Sequence, residues 1–249
     1  MQRYLINESI IHIPYIYLNS EDSYHISKVL RMKTDEEVIC TVINQKIDYL
    51  CKIVNIDKDS VTLEIVKEMI NDNELKVNVS IAHGLVNRNK IEETVEKLSL
   101  LGAHNYYFFP MIRSNVKSID EKLDKKLVRL SKIAKEASEV SHRNQILNSI
   151  YLNNLDEFIK ETAGFDYKLV AYEDEDFDSA SFKDTIKSLK ENDKIVVLIG
   201  PEGGIDTKEI KKLVYNGFKL VSLGKRILRT EVAPTYVLAS ISYELELKE

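Results

Sequence analysis

The sequence has few glycines, prolines and cysteines and no tryptophan. Its 249 residues include 8 glycines, 4 prolines and 2 cysteines, which is far from a low-complexity or disulfide-rich composition. Cys40 and Cys51 lie in segments that alternate as strands do, so we expect two reduced thiols in a cytoplasmic protein. No apolar run approaches the roughly 18 residues of a membrane span. The N-terminus MQRYLINESI also lacks the apolar core of a signal peptide. We therefore expect neither membrane insertion nor export.

An excess of positive charge is also missing. The formal net charge is −5 and the isoelectric point is about 5.7, which argues against non-specific nucleic-acid binding. Residues 173–178 form an acidic run. Basic residues nevertheless concentrate in two groups. The first group is Lys122, Lys125, Lys126, Arg129, Lys132, Lys135 and Arg143, and the second is Lys225, Arg226 and Arg229. Such clusters would permit a localised phosphate-binding face, and for residues 121–136 a solvated helix face is the alternative.

The first 70 residues have the period of β-strands. Apolar and polar residues alternate over 38–42, 49–53 and 61–65, and turn-like residues separate these stretches. The pattern predicts short antiparallel strands in a small all-β domain over residues 1–70. The polar stretch 71–76, NDNELK, is the best candidate for a linker.

From residue 77 onward, strand and helix patterns alternate, which predicts an α/β domain over residues 77–249 with a parallel sheet covered on both faces. The predicted strands are 77–85, 104–110, 167–172, 194–200 and 218–224. The predicted helices are 87–102, 121–139, 180–190, 206–216 and 233–247.

Three of the 8 glycines fall within LIGPEGGI, residues 198–205. They follow an apolar strand of the kind found at the centre of a parallel sheet. Asp206 and Glu209 then have the spacing of a capping box, and Gly217 is a plausible end of that helix. The glycines would lie at the carboxyl end of a strand, where open α/β sheets bind ligands. A tight turn without a ligand is the alternative.

A second glycine-bearing loop follows the next predicted strand, in LGKRILRTEVAP. Two adjacent strands that end in such loops would enclose one small molecule. The dinucleotide and phosphate-loop glycine motifs are both absent. The carboxylate of Glu202 would repel a phosphate, so a neutral or cationic ligand is expected. The histidines at 12, 83, 104 and 142 show no metal-ligand spacing, so no metal is expected.

Several segments together resemble the ribosomal RNA small subunit methyltransferase E family of the SPOUT superfamily. They are HISKVLRM, LGAHNYYFFPMIRS, KEASEVSHR, LIGPEGGI and LGKRILRTEVAP, in this order along nearly the whole chain. The resemblance implies a PUA-like β-barrel followed by a SPOUT α/β domain with a trefoil knot. It also implies a cytoplasmic homodimer that uses S-adenosyl-L-methionine to methylate N3 of a uridine in the decoding region of 16S rRNA, within the small ribosomal subunit.

The resemblance assigns roles by matching motifs. The cofactor would be bound by Ile199, Gly200, Pro201, Glu202, Gly203, Gly204, Leu223, Gly224, Ile227, Leu228, Thr230 and Glu231. Because the matched loops hold neither histidine nor aspartate, an arginine that stabilises the developing uridine anion is the expected catalytic device. The candidates are Arg113, Arg143 and Arg229, each of which would alternatively clamp a phosphate. The expected RNA contacts are His25, Lys28, Arg31 and Ser114; for His25 a structural role is the alternative.

The chain departs from the family pattern at Asn87, Leu100, Val140 and Val232, which leaves the target base less well defined than the reaction. Two alternatives therefore stay open: a SPOUT methyltransferase of another RNA, such as tRNA, and an RNA-binding module without catalysis.

Overall fold

The computed structural model describes residues 1–57, 60–118, 123–172 and 180–247. The acidic run 173–178 and Lys122, both noted in the sequence, lie outside these ranges. The chain divides into two compact units: Met1–Glu74 with Ser138–Ile146, and Leu75–Ala137 with Leu147–Glu249. Within the described residues, no helix has the combination of length and apolarity that a membrane crossing requires.

The first unit is built on a six-stranded sheet. Its strands are β1 (Arg3–Ile6), β2 (Ile11–His12), β3 (Tyr15–Tyr17), β4 (Glu37–Val42), β5 (Ile47–Ile56) and β6 (Val61–Ile70). The order is β1-β4-β5-β6-β3-β2. Only β1 and β4 pair in parallel among these strands. A 3-10 turn (Glu8–Ile10), helix α1 (Ser20–Tyr24) and a π-helical turn (His25–Leu30) complete the unit.

The alternation in the sequence places one side of β4, β5 and β6 in the core of this unit. Val38, Cys40 and Cys51 are among its fully buried members. Both cysteines are free thiols. The three predicted strands are therefore confirmed, whereas β1, β2, β3 and α1 were not predicted, because they are too short to show a period.

The polar stretch 71–74 is bound by hydrogen bonds within the first unit. The Asn71 side-chain amide donates to Asp48 Oδ1 (3.0 Å) and to the carbonyl of His142 (3.1 Å). Glu74 accepts from Arg143 Nε at 2.9 Å, and the Arg143 side chain is 3% exposed. Residues 138–146 thus supply hydrogen-bond and ion-pair partners for the polar side chains of this stretch.

The second unit is an α/β fold. Its strands are β7 (Asn78–Gly84), β8 (Asn105–Phe109), β9 (Asn148–Tyr151), β10 (Tyr167–Ala171), β11 (Ala180–Ser181), β12 (Lys194–Ile199) and β13 (Lys219–Ser222). Its helices are α2 (Arg88–Leu100), α3 (Leu123–Val140, whose last residues group with the first unit), α4 (Leu155–Glu161), α5 (Phe182–Ser188), α6 (Thr207–Tyr215) and α7 (Ala233–Glu246). The strands form one parallel sheet in the order β11-β13-β10-β12-β7-β8-β9. The predicted α/β class is confirmed.

The apolar strand β12 lies at the centre of this sheet, as its composition predicted. The capping box of Asp206 and Glu209 starts α6, and Gly217 follows that helix with φ +83°. The prediction that β12 and β13 are adjacent is wrong. Strand β10 lies between them, because strand order is set by the crossover connections and leaves no trace in local periodicity.

Candidate functional site

A cavity of about 660 Å³ opens where β10, β12 and β13 end. Its volume falls within the roughly 300–1,000 Å³ of typical small-molecule sites. Eleven of the twelve residues that the resemblance assigned to the cofactor line it: Ile199, Gly200, Pro201, Glu202, Gly204, Leu223, Gly224, Ile227, Leu228, Thr230 and Glu231. Besides Arg229, the cavity is lined by residues that the resemblance did not assign to the cofactor: Lys90, Ala171, Tyr172, Ile205, Val221, Arg226 and Ala233. Ala171 and Tyr172 reach the cavity because β10 occupies the place between the other two strands.

Glycines allow the loop after β12 to fold tightly beside the cavity. A Cβ on Gly200 would lie 2.8 Å from Cγ1 of Ile205. A Cβ on Gly203 would lie 2.7 Å from the carbonyl oxygen of Arg113, so this glycine packs on backbone instead of lining the cavity. Gly84, at the end of β7, has no room for a Cβ because that atom would lie 2.7 Å from the Pro201 nitrogen. Close backbone contact therefore requires glycine at positions 84 and 203, and at position 200 the Ile205 side chain leaves no room for a Cβ.

Lys90 connects the two loops that carry carboxylates into the cavity. Its Nζ lies 2.9 Å from Glu202 Oε1 and 3.5 Å from Glu231 Oε2. Burial raises the pKa of Glu202, but hydrogen bonds from Lys90 and from its own backbone N–H leave that pKa below the usual value. Asn87 accepts from the Lys90 backbone N–H and begins α2. This asparagine, which departs from the family pattern, thus places Lys90 in the first turn.

His83 on β7 is buried and contacts the second loop from below the cavity. Its Nε2 hydrogen-bonds with Thr230 Oγ1, and its Nδ1 lies 3.1 Å from the hydroxyl of Tyr106. The Thr230 hydroxyl donates to the carbonyl of Gly200 at 2.7 Å. Burial lowers the pKa of His83 to about 4. The sequence carried no signal of this contact, because His83 and Thr230 are 147 residues apart.

The three candidate catalytic arginines lie in different surroundings. Arg229 lines the cavity and is exposed. The guanidinium of Arg113 donates to Asp206 Oδ2 at 3.3 Å and does not line the cavity. Arg143 is buried in the first unit, in the ion pair with Glu74. Breaking a buried ion pair of this kind is strongly destabilising, so we propose a structural role for Arg143, and of the three we retain Arg229 for the chemistry.

The four candidate RNA contacts differ in their exposure and in their hydrogen bonds. Lys28 and Arg31 are exposed in and after the π-helical turn. His25 Nδ1 lies 3.0 Å from the Tyr4 hydroxyl, which supports the structural alternative. Ser114 is 2% exposed, and its hydroxyl accepts from the Met111 backbone N–H at 3.0 Å. Because Ser114 closes this buried turn, we no longer assign it to RNA.

The chemistry of the cavity fits a nucleoside that carries a positive charge. Aliphatic side chains such as Leu223 and Leu228 suit the faces of a base, and the glycine loops bring backbone polar groups close to a ligand. Glu202 and Glu231 supply carboxylates for a cation. S-adenosyl-L-methionine combines these features. Within the described parts of the chain, no cluster of histidine, cysteine, aspartate or glutamate side chains could hold a metal ion.

Several known proteins are similar to this chain along most of its length. Residues 73–242 match the model of an RNA methyltransferase domain, and residues 18–66 match an RNA methyltransferase PUA domain. A ribosomal RNA small subunit methyltransferase E of Bacillus subtilis is 34% identical over 99% of this chain and 98% of its own. A crystal structure of a hypothetical protein aligns with a TM-score of 0.91, 35% identity and 99% of each chain. A protein of Legionella pneumophila described as a methyltransferase, with the cofactor SAM bound, aligns with a TM-score of 0.83, 26% identity and 97% of each chain.

Proposed function

The chain belongs to the ribosomal RNA small subunit methyltransferase E family, and we propose that it methylates N3 of one uridine in the decoding region of 16S rRNA. The donor is S-adenosyl-L-methionine and the substrate is the small ribosomal subunit. The observation that carries the proposal is the cavity at the ends of β10, β12 and β13, where eleven of the twelve assigned cofactor residues meet.

The residues of the cavity would divide the work of binding the cofactor. The loop 199–204 and the loop 223–231 would hold the adenosine part with backbone groups and with the aliphatic side chains of Leu223, Ile227 and Leu228. The carboxylates of Glu202 and Glu231 would face the positive charge. When bound, S-adenosyl-L-methionine supplies an electrophilic methyl group on a sulfonium. Holding both reactants in line is the main contribution that a protein makes to such a transfer.

Arg229 is the residue that we assign to the uridine. Formation of the bond between N3 and carbon requires N3 to lose its proton, and negative charge then spreads to the neighbouring carbonyl oxygens. A guanidinium at the mouth of the cavity would stabilise that charge with two parallel N–H donors. Arg226, which also lines the cavity, would contact phosphate. The proton passes to solvent in this scheme, because the two loop carboxylates, Glu202 and Glu231, are both paired with Lys90.

The first unit would provide the sequence-independent part of RNA binding. Lys28 and Arg31 are exposed there, and the match to a PUA domain of RNA methyltransferases covers both residues. Contacts to phosphate fix the register and orientation of a protein on nucleic acid. A protein with a net charge of −5 would therefore rely on the shape of the assembled subunit to find its target.

We further propose that the protein acts as a cytoplasmic homodimer. Helix α7 carries three large apolar side chains that are at least partly exposed: Tyr236 at 39%, Tyr243 at 66% and Leu247, just past its end, at 71%. Such a row on one helix is a typical protein contact surface. Sedimentation equilibrium would test the dimer, and a monomer at micromolar concentration would contradict it.

The decisive experiment uses radiolabelled S-adenosyl-L-methionine with purified small subunits from a strain that lacks this protein. We expect the label to appear in 16S rRNA. Mass spectrometry should identify the labelled nucleoside as 3-methyluridine at one position. Parallel reactions under the same conditions use tRNA and protein-free 16S rRNA in place of the subunits. Comparing the three identifies the substrate. Label in tRNA alone would support the alternative methyltransferase. Cofactor binding by calorimetry without transfer to any RNA would support a module that has lost catalysis.

A further inference from the structure

A chain of hydrogen bonds crosses the floor of the cavity. It runs from the Tyr106 hydroxyl to His83, from His83 to Thr230, and from Thr230 to the carbonyl of Gly200. Tyr106 and His83 are each 0% exposed, and Thr230 is 8% exposed. The part of the chain from Tyr106 to His83 is therefore shielded from water, and the part from Thr230 to Gly200 borders the cavity. Its last two members belong to the two different loops that line the cavity.

The direction of each bond follows from the number of protons available. The Thr230 hydroxyl has one proton and donates it to Gly200, so the bond between Thr230 and His83 must use a proton on His83 Nε2. A neutral imidazole with a proton on Nε2 has an acceptor at Nδ1. The Tyr106 hydroxyl then donates to Nδ1. Every group in the chain is satisfied in one arrangement only, which fixes the tautomer of His83.

Charge supports the same arrangement. Burial lowers the pKa of His83 to about 4, so the imidazole is neutral near physiological pH. An imidazolium would present a proton at Nδ1, and Tyr106 could no longer donate there. The burial of His83 thus favours the neutral imidazole. The hydrogen bonds to its two partners, one on each ring nitrogen, favour the same form.

The consequence concerns the geometry between the two loops. Gly200 begins the loop after β12, and Thr230 lies in the loop after β13, while β10 separates those strands in the sheet. No backbone hydrogen bond of the sheet can therefore connect them directly. The side chain of Thr230 makes that connection, and His83 limits its rotation by occupying the other side of the hydroxyl. A preorganised site loses less entropy when the ligand binds.

We propose that His83 is a positioning residue for cofactor binding: it orients Thr230 so that the two loops keep their spacing before the ligand enters. This inference rests on the proposed function, since the ligand is the methyl donor. His83 contacts neither the ligand nor the RNA in this scheme. Its effect is on affinity, not on the chemical step.

The test compares two substitutions of His83. His83→Leu removes the donor to Thr230, and His83→Gln replaces it with an amide N–H at a similar reach. Loss of one oriented hydrogen bond predicts that His83→Leu weakens S-adenosyl-L-methionine binding about five- to tenfold in calorimetry. It should raise KM for the donor in the same proportion and leave kcat on small subunits unchanged. His83→Gln should restore most of the affinity.

A matched control separates positioning from loss of stability. Ile195 is 0% exposed and lies at the other end of β12 from the ligand cavity. Ile195→Val leaves a small void there, so it destabilises the unit without altering the ligand cavity. It should bind the donor as the wild type does. Tyr106→Phe provides a variant of nearly unchanged shape if His83→Leu fails to fold. It should weaken binding and, in ¹⁵N spectra of the imidazole, shift His83 toward a mixture of tautomers.

Each result has a defined meaning. Wild-type affinity in both His83→Leu and Tyr106→Phe would overturn the inference, and so would equal losses in His83→Leu and His83→Gln, because a donor to Thr230 would then be irrelevant. A fall in kcat at constant KM would also overturn it. A wild-type protein that binds no donor would instead overturn the proposed function, together with the inference. The proposed function survives if the wild type methylates RNA while the His83 variants behave as it does.

Discussion

Lys90 in the first turn of α2 and Glu202 in the loop after β12 form an ion pair of 2.9 Å across 112 residues of sequence. Glu231, at 3.5 Å from the same ammonium, brings the loop after β13 into the pair. Two carboxylates that contact the same ammonium would repel one another if that cation were absent. Lys90 therefore allows both to point into one cavity.

Replacing Lys90 by Met should destabilise the protein by about 1 kcal/mol at neutral pH, since the pair is partly exposed and screened. Lys90 helps to hold the pKa values of Glu202 and Glu231 below their usual value. That part of the stability is present above the ordinary carboxyl pKa and is lost as the pH falls through the folded values. Urea unfolding across this range should show the difference between the variant and the wild type shrinking toward acid. A constant difference would contradict the ion-pair account.

Acid should destabilise the protein through His83. The pKa of His83 falls from an ordinary value of 6.5 to about 4 in the folded chain, so the unfolded chain binds more protons between these values. Stability due to the neutral ring is fully present above pH 6.5 and declines as the pH falls to 4, by about 3 kcal/mol in total. Unfolding curves of His83→Gln should lack this decline. Parallel curves for both proteins would contradict the prediction.

Gly84→Ala should damage the cavity although Gly84 does not line it. The new methyl group would press on Pro201, and overpacking of this kind costs about 1–3 kcal/mol. We expect a lower melting temperature and weaker donor binding. Gly164→Ala is the matched control, because no atom lies within 4 Å of its added Cβ. Similar behaviour of the two variants would show that the contact with Pro201 is unimportant.

Arg229→Ala should slow methyl transfer about 10²- to 10³-fold, the usual loss when one donor to a developing anion is removed. Donor affinity should change little, because the guanidinium acts on the uridine. Single-turnover rates with saturating subunits would measure the effect. Arg113→Ala serves for comparison, since its guanidinium is exposed and pairs with Asp206. Equal losses in both variants would indicate a shared role in phosphate binding.

Arg143→Met should affect stability and not catalysis. It leaves the carboxylate of Glu74, 14% exposed, without its cation, and breaking a buried pair costs about 3–5 kcal/mol. The measurement is the free energy of unfolding in urea, followed by turnover at a temperature where the variant is folded. Unchanged stability with reduced turnover would restore Arg143 as a catalytic candidate.

Local pattern was sufficient for much of the second unit. The run KIVVLI is apolar on both faces, so it had to be an inner strand, and the glycines after it had to form a loop at the carboxyl edge. The capping box at Asp206 shows in sequence because its two members are three residues apart. The trefoil knot stays a prediction from the resemblance, since no short-range pattern encodes the path of a chain through a loop.

Long-range contacts explain what the sequence did not reveal. The bond between His83 and Thr230 spans 147 residues, and the pair of Lys90 with Glu202 spans 112. Neither spacing has a periodic signature. The polarity of residues 71–76 predicted a linker, whereas Asn71 is 1% exposed and donates to the carbonyl of His142, 71 positions later. Polar residues that satisfy each other inside a fold look the same in sequence as polar residues in water.

The grouping of Ser138–Ile146 with the first unit has a consequence for biosynthesis. Asn71 and Glu74 find their partners at His142 and Arg143, so the amino-terminal unit is incomplete until that segment has left the translating ribosome. Domains usually fold in order as the chain emerges. Here completion of the first unit must wait for residues 138–146, and in a nascent chain stalled before residue 138 the Glu74 carboxylate would lack Arg143.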